Sequence, residues 1–162
     1  MRKWIWLSLV AVLLCGCGAQ ETYETVHDVW MEGELPEARS ILVELPGESA
    51  LPVMEHDGGR AYVCNDYEIY IQTMPGGDLG ATLETMSGFA PEKLTVLSTS
   101  QEDVSRHEFV WATAGEAGDL LGRGVVLDDG YYHYTMTVLR SAQKAEHSSV
   151  VWDGVFSSFR LA

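Results

Sequence analysis

The sequence is poor in positive charge, in cysteine and in long apolar runs, and each shortage excludes something. Ten Lys and Arg stand against 24 Asp and Glu, for a formal net charge of −14. A chain so acidic repels phosphate backbones and anionic headgroups, so a nucleic-acid partner is excluded. The longest apolar run, Trp4 to Leu14, is interrupted only by Ser8. It falls short of the roughly 20 residues that a spanning helix needs. Three cysteines in all, at 15, 17 and 64, leave little room for a disulfide framework. Internal repeats and low-complexity tracts are also missing. So are the motifs of common chemistries: there is no Gly-x-Ser-x-Gly elbow, no phosphate-cradling loop ending in Lys-Ser/Thr and no His-Glu-x-x-His helix.

What the amino terminus does contain is an address. Met1-Arg2-Lys3 gives a positive start, the apolar run has the length of a signal-peptide core, and Leu14-Cys15-Gly16-Cys17 follows. This ending resembles the lipobox of bacterial lipoproteins. Leu14 stands at the third position back, Gly16 is the small residue before the cut, and Cys17 is the lipid acceptor. The resemblance implies cleavage after residue 16 and anchoring to a membrane on its extracytoplasmic face. Two or three acyl chains anchor firmly where one holds only marginally. With Arg2 and Lys3 removed, the mature chain is two units more negative than −14. Cys64 is then the one remaining thiol. It sits in Ala61-Tyr62-Val63-Cys64 with only Arg60 as a nearby cation, which reads as a small packed residue.

Three segments follow from this: a signal peptide at 1–16, the acylated cysteine with an acidic tether at 17–39, and a folded domain at 40–162. The tether carries Glu21, Glu24, Asp28, Glu32, Glu34 and Glu37, although Val26, Val29, Trp30 and Met31 are unusual in a pure linker. In the domain, Ile41 to Leu45, Arg60 to Val63 and Tyr67 to Thr73 read as strands. Asp78 caps a helix carrying Leu79, Leu83 and Met86, and Ser87-Gly88 ends it. Strands follow at Leu94 to Ser98, Glu108 to Thr113, Leu120 to Leu127 and Tyr131 to Leu139, the last two joined by the turn Asp128-Asp129-Gly130. A second helix, near Ser148 to Phe159, sets Trp152, Val155, Phe156 and Phe159 on one stripe. The expected fold is α+β, a single antiparallel sheet with two helices packed on it and one face left for recognition.

The run from Tyr67 to Leu161 resembles the PsbP-like fold, named for an extrinsic subunit of photosystem II. The resemblance rests on the strand-helix-strands-helix order, the long strand from Tyr131 to Val138, and the ending Phe156-Ser157-Ser158-Phe159-Arg160-Leu161. It implies a non-catalytic binding or assembly factor, and it brings no functional motif that could be carried onto particular residues.

Candidate chemistry is sparse. His27, His56, His107, His133 and His147 have no metal-ligand spacing among them, and Asp128-Asp129-Gly130 reads as a hairpin turn rather than a calcium loop. No metal site or cofactor is expected. The aromatic cluster Tyr131, Tyr132, His133 and Tyr134 stands out. Alternation sends one pair to the core and leaves the other for a recognition surface. The function expected is a non-enzymatic lipoprotein that binds a protein partner, one of basic character given the charge. The alternatives are a small-ligand- or cation-binding carrier and a hydrolase with a dispersed site.

Overall fold

The computed structural model describes residues 35–47, 51–56, 58–64, 67–115, 118–143 and 149–162. The signal segment, Cys17 and the tether as far as Glu34 lie outside them. The elements are β1 (Ile41–Leu42), β2 (Met54–His56), β3 (Gly59–Val63), β4 (Tyr67–Pro75), α1 (Leu79–Ser87), β5 (Val96–Gln101), β6 (Val104–Gly115), β7 (Gly118–Asp128), β8 (Tyr132–Ser141), α2 (Ser149–Ser158) and β9 (Arg160–Leu161). Seven strands form one antiparallel sheet in the order β2-β3-β4-β8-β7-β6-β5. The α+β class with two helices therefore stands.

The sheet is not the sole one, because β1 and β9 pair separately, Ile41 with Leu161 and Leu42 with Arg160. Strand β2 lies between Leu45 and Arg60, where the sequence marks no strand. Its three residues are all exposed, so they carry no apolar alternation to read. Strand β6 begins at Val104 rather than Glu108, since Ser105, Arg106 and His107 continue the pairing with β5 without apolar side chains to mark it. The turn between β5 and β6 puts Glu102 in the left-handed region at φ 55°.

Helix α1 starts and stops on the residues expected. Asp78 accepts from the Gly80 N–H at 2.8 Å, and Gly88, at φ 75°, donates its N–H to the Glu84 carbonyl at 2.7 Å. Its Leu79, Leu83 and Met86 meet Phe109, Trp111 and Val126. Helix α2 sets Trp152, Val155 and Phe156, with Phe159 just beyond, against Tyr67, Ile69, Ile71, Val125, Leu127, Met136 and Val138. In the register Met136 pairs with Ile71 and Val125, whereas Thr135 pairs with Val126. Successive side chains of a strand point to opposite faces, so the two helices lie on opposite sides of the sheet. The expectation of one uncovered face is thus corrected: the apolar stripe on each helix is matched by a stripe on its own side.

The compact unit runs from Leu35 to Ala162 and contains both clusters. It begins ahead of the boundary expected at residue 40. Ala38 packs against the α2-side cluster. The Arg39 N–H donates to the Tyr134 hydroxyl at 2.9 Å, and the Tyr132 hydroxyl donates to the Pro36 carbonyl at 2.8 Å.

Candidate functional site

Of the two pairs among Tyr131, Tyr132, His133 and Tyr134, one was expected in the core and the other at a recognition surface, and each pair instead has one buried member and one more exposed. Tyr131 is 54% exposed, at the end of the β7–β8 turn. Tyr132 is half-buried. Tyr134 is wholly buried on the α2 side, and His133 is 1% exposed on the α1 side. The Tyr134 hydroxyl donates to Asp129 Oδ2 at 2.8 Å while accepting from Arg39, so its polar tip is taken up within the fold. Burial, followed by that hydrogen bond to a carboxylate, pushes its pKa up to about 12. His133 Nδ1 lies 2.8 Å from Thr82 Oγ1 on α1, and its Nε2 lies 3.8 Å from Asp128 Oδ2. Alternation separates neighbours in a strand, and here both sides are covered. The cluster is therefore mostly interior, and Tyr131 alone faces solvent.

The turn carboxylates are engaged in the same way. Asp128 Oδ1 accepts from the Gly130 N–H, and Asp129 Oδ1 from the N–H groups of Tyr131 and Tyr132. Burial works against the charge on Asp129, but those two N–H groups, the Tyr134 hydroxyl and nearby Arg39 outweigh it and hold its pKa below the usual carboxylate value. Among the described residues, no three His, Cys, Asp or Glu side chains come together as a metal-binding group. Cys64 is half-buried at the edge of the α2-side core. Ser98 Oγ and His107 Nδ1 stand 2.8 Å apart as a cross-strand pair on β5 and β6. Burial lowers the His107 pKa, and Asp128 only partly offsets that.

A different place has the form of a binding site. On the α2 side, β6, β7 and β8 extend beyond the helix and leave an apolar groove of about 540 Å³. Val110, Leu121 and Val138 line its sheet side with Ala112, while Trp152 and Phe156 form the helix wall. Val110 is 64% exposed there. The register explains the floor. Val110, Arg123 and Val138 form one row across three strands, and Ala112, Leu121 and Arg140 form the next. Trp111 and Gly122, whose side-chain positions belong to the opposite face, complete the lining.

Charged groups hold this wall in place. Arg106 donates to the Phe156 carbonyl at 2.7 Å and the Phe159 carbonyl at 2.9 Å, satisfying groups that the end of α2 leaves open. It also meets Glu108 at 2.7 Å. Arg123 joins Glu108 at 2.9 Å and Asp153 at 2.8 Å, with its guanidinium 4.2 Å from the centre of the Phe156 ring. Burial disfavours the charge on Glu108, yet Arg106 and Arg123 outweigh it and keep its pKa below the ordinary value. For Arg123, too, the carboxylate partners outweigh burial and raise the pKa. Arg123, Arg140 and Asp153 are the charged residues around the groove. The sequence offered one signal for the site, an apolar Val110 on the polar side of its strand. Without knowing where α2 ends, that signal has no meaning.

On the opposite face, Phe109 and Trp111 stack at 5.2 Å and lie across Gly124 and Gly122 of β7. A Cβ at Gly124 would stand 2.5 Å from the Phe109 ring, and one at Gly122 would stand 2.1 Å from the Trp111 ring. Glycine at these two positions is a requirement of close packing.

No protein-family model matches this sequence, and no curated protein matches it either. Among solved structures, the fold is similar to that of LpqN, described as involved in cell envelope biogenesis of Mycobacterium tuberculosis. The TM-score is 0.51 at 10% identity, over 81% of this chain and 87% of that one. At this identity the likeness concerns the fold.

Proposed function

We propose that this protein is a non-enzymatic binding module of the cell envelope, held at a membrane surface by lipid on Cys17, with the groove beside α2 as its working surface. The groove is the observation that carries the reading. Pockets of roughly 300–1,000 Å³, mostly apolar with a few polar groups at the margin, are the usual form of a ligand site. Support for the address comes from the Leu14-Cys15-Gly16-Cys17 ending and from the likeness to an envelope-biogenesis protein. Kinship with PsbP-like proteins belongs to the same proposal. It rests on the element order, the long strand β8 and the Phe156 and Phe159 pair at the end of α2. A non-catalytic role fits a site whose walls are aliphatic and aromatic and whose Arg123 and Asp153 are paired with each other across the edge of α2.

A protein partner is favoured by a separate observation. Leu51, Val53, Met54, Val63 and Tyr70 are exposed around the short edge strand β2. An uncovered apolar edge of this kind is where a second chain adds.

Two measurements test the proposal. Cys17→Ala should leave an uncleaved precursor or move the protein to soluble fractions, and a normally processed, membrane-bound variant refutes the anchor. A photo-crosslinking residue at Val110 should capture material in intact envelopes, whereas the same residue at Tyr131 should not. Capture from Tyr131 alone removes the groove from consideration.

A further inference from the structure

The seven-stranded sheet ends in two unlike edges. At one, β2 is three residues long and carries Glu55 and His56, with Arg60 bonded to Glu55 at 3.1 Å. Short strands and charged side chains are the usual devices that keep an edge from pairing with another chain. The other edge, β5, has neither. It runs for six residues, all but Val96 exposed. Leu94 to Gln101 contains no charge, no proline and no glycine, in a sequence that is 21% charged. Among the described residues, no other strand lies on its outer side.

The side chains of β5 suit a second copy of themselves. Leu97 and Thr99 lie on the α2 side, since Leu97 shares a row with Glu108 and Val125. Val96, Ser98 and Ser100 lie on the α1 side, since Ser98 shares a row with His107 and Val126. An antiparallel copy, related by a two-fold axis through the sheet at Ser98, sets Ser98 opposite Ser98, Leu97 opposite Thr99 and Val96 opposite Ser100. Each pair then falls on one face, and Leu97, 67% exposed in a single copy, gains a cross-strand neighbour. The strand ends differ as well. Glu92 and Lys93 stand before it, and Glu102 and Asp103 after it. Asp103 meets Arg39 at 3.4 Å, whereas Lys93 and Glu102 have no ion-pair partner among the described residues. A parallel copy would set Glu102 and Asp103 against themselves. The antiparallel copy brings Lys93 of each to Glu102 and Asp103 of the other, so the edge is complementary to itself in charge.

We infer that β5 pairs antiparallel with β5 of a second copy, joining the two sheets into one about a two-fold axis at Ser98. The contact goes beyond the groove, whose lining includes no residue of β5. Repulsion between two acidic chains opposes it, and it rests on the proposed anchor to this extent: confinement to one membrane surface raises the effective concentration of the copies.

Cysteine cross-linking reads both the contact and its register. Residues directly opposite in an antiparallel pair lie about 4.5–5.5 Å apart between Cα atoms, within disulfide range. Thr99 and its own copy would lie about 8 Å apart, beyond that range. Single cysteines are placed in the full chain carrying Cys64→Ser, and intact envelopes are oxidised with copper–phenanthroline and resolved without reductant. Ser98→Cys should give a homodimer at least about tenfold more abundant than Thr99→Cys does. Should Ser98→Cys not accumulate, Leu97→Cys and Thr99→Cys in two differently tagged copies should join to each other. Adding Lys93→Glu should reduce the Ser98→Cys dimer severalfold, and Glu102→Lys in the same chain should recover most of it. Absence of a homodimer, equal yields from Ser98→Cys and Thr99→Cys, or a Ser98→Cys disulfide to a different protein overturns the inference. A dimer from the chain carrying Cys64→Ser alone would report an unacylated Cys17 and count against the anchor, whereas the difference between Ser98→Cys and Thr99→Cys still judges the strand contact.

Discussion

The two sides of the sheet are stabilised by different means. The α2 side buries a broad aliphatic and aromatic cluster running from Tyr62 and Tyr67 to Phe156 and Phe159. The α1 side has a smaller apolar cluster, Leu83, Phe109, Trp111 and Val126. It also holds every buried polar side chain among the described residues: Thr82 on the helix, and His133, Thr135 and Thr137 along β8. One side depends on apolar volume. The other depends on aromatic rings laid over glycine and on a buried hydrogen bond. A helix with that much apolar contact can leave neighbouring strands uncovered and remain docked, and α2 is the helix that stands beside the groove.

The largest effect expected from breaking the α2 side is Phe156→Ala. Phe156 is 1% exposed, so its loss should cost about 3–5 kcal/mol in chemical denaturation, a large part of a typical domain's stability. Less than 1 kcal/mol would mean that α2 is not docked as described. On the smaller side, Leu83→Ala should cost nearer the low end of the range for such changes, about 2 kcal/mol. A loss equal to that of Phe156→Ala would erase the contrast.

Gly124→Ala tests the aromatic fit, since the added methyl meets the buried Phe109 ring. Overpacking of this kind costs about 1–3 kcal/mol, and near-ultraviolet circular dichroism should report the displaced ring.

Glu108→Gln sharpens the comparison through pH. A carboxylate whose folded pKa lies below its unfolded value contributes stability above the unfolded pKa, about 4.3, and loses it as pH falls through the folded pKa. Glu108 is such a group. It is also partly exposed, and screening reduces its worth. The variant should be less stable by roughly 1 kcal/mol at pH 7, with the difference shrinking below about pH 4. A difference that grows on acidification would reverse the assignment. Tyr131→Ala should change stability by less than about 0.5 kcal/mol, whereas Tyr134→Phe, which leaves Asp129 and the Arg39 N–H without their partner, should be measurably worse.

Much of this fold is legible in the sequence, because its signals are local. Alternation marks β4, β7 and β8, Asp78 and Gly88 bracket α1, and the stripe from Trp152 to Phe159 marks α2. What local signals do not contain is which side of the sheet each helix takes. That depends on which stripe meets which, and it decides the fate of Tyr131 to Tyr134. The glycines of β7 read as weak strand residues until Phe109 and Trp111 are placed across them. The groove is harder still. It is defined by where α2 stops covering β6, and its arginines look like any surface charges until the strands are in register.

The way the chain enters the unit has a mechanical side. Pro36 and Arg39 are fastened to the hydroxyls of Tyr132 and Tyr134. Next, the Ser40 carbonyl accepts from the Ala162 N–H at 2.9 Å, and Ile41 pairs with Leu161. A load drawn through Leu35, directed away from the β7–β8 turn, reaches these fastenings in succession and opens them as a peel. Ile41, Val43 and Leu45 would come away from the α2-side core as the peel advanced. Arg140 stands at the other end of β8, roughly 26 Å along the strand from Tyr132 at about 3.3 Å per residue. Tension therefore wears first on the end of the sheet that the groove does not occupy.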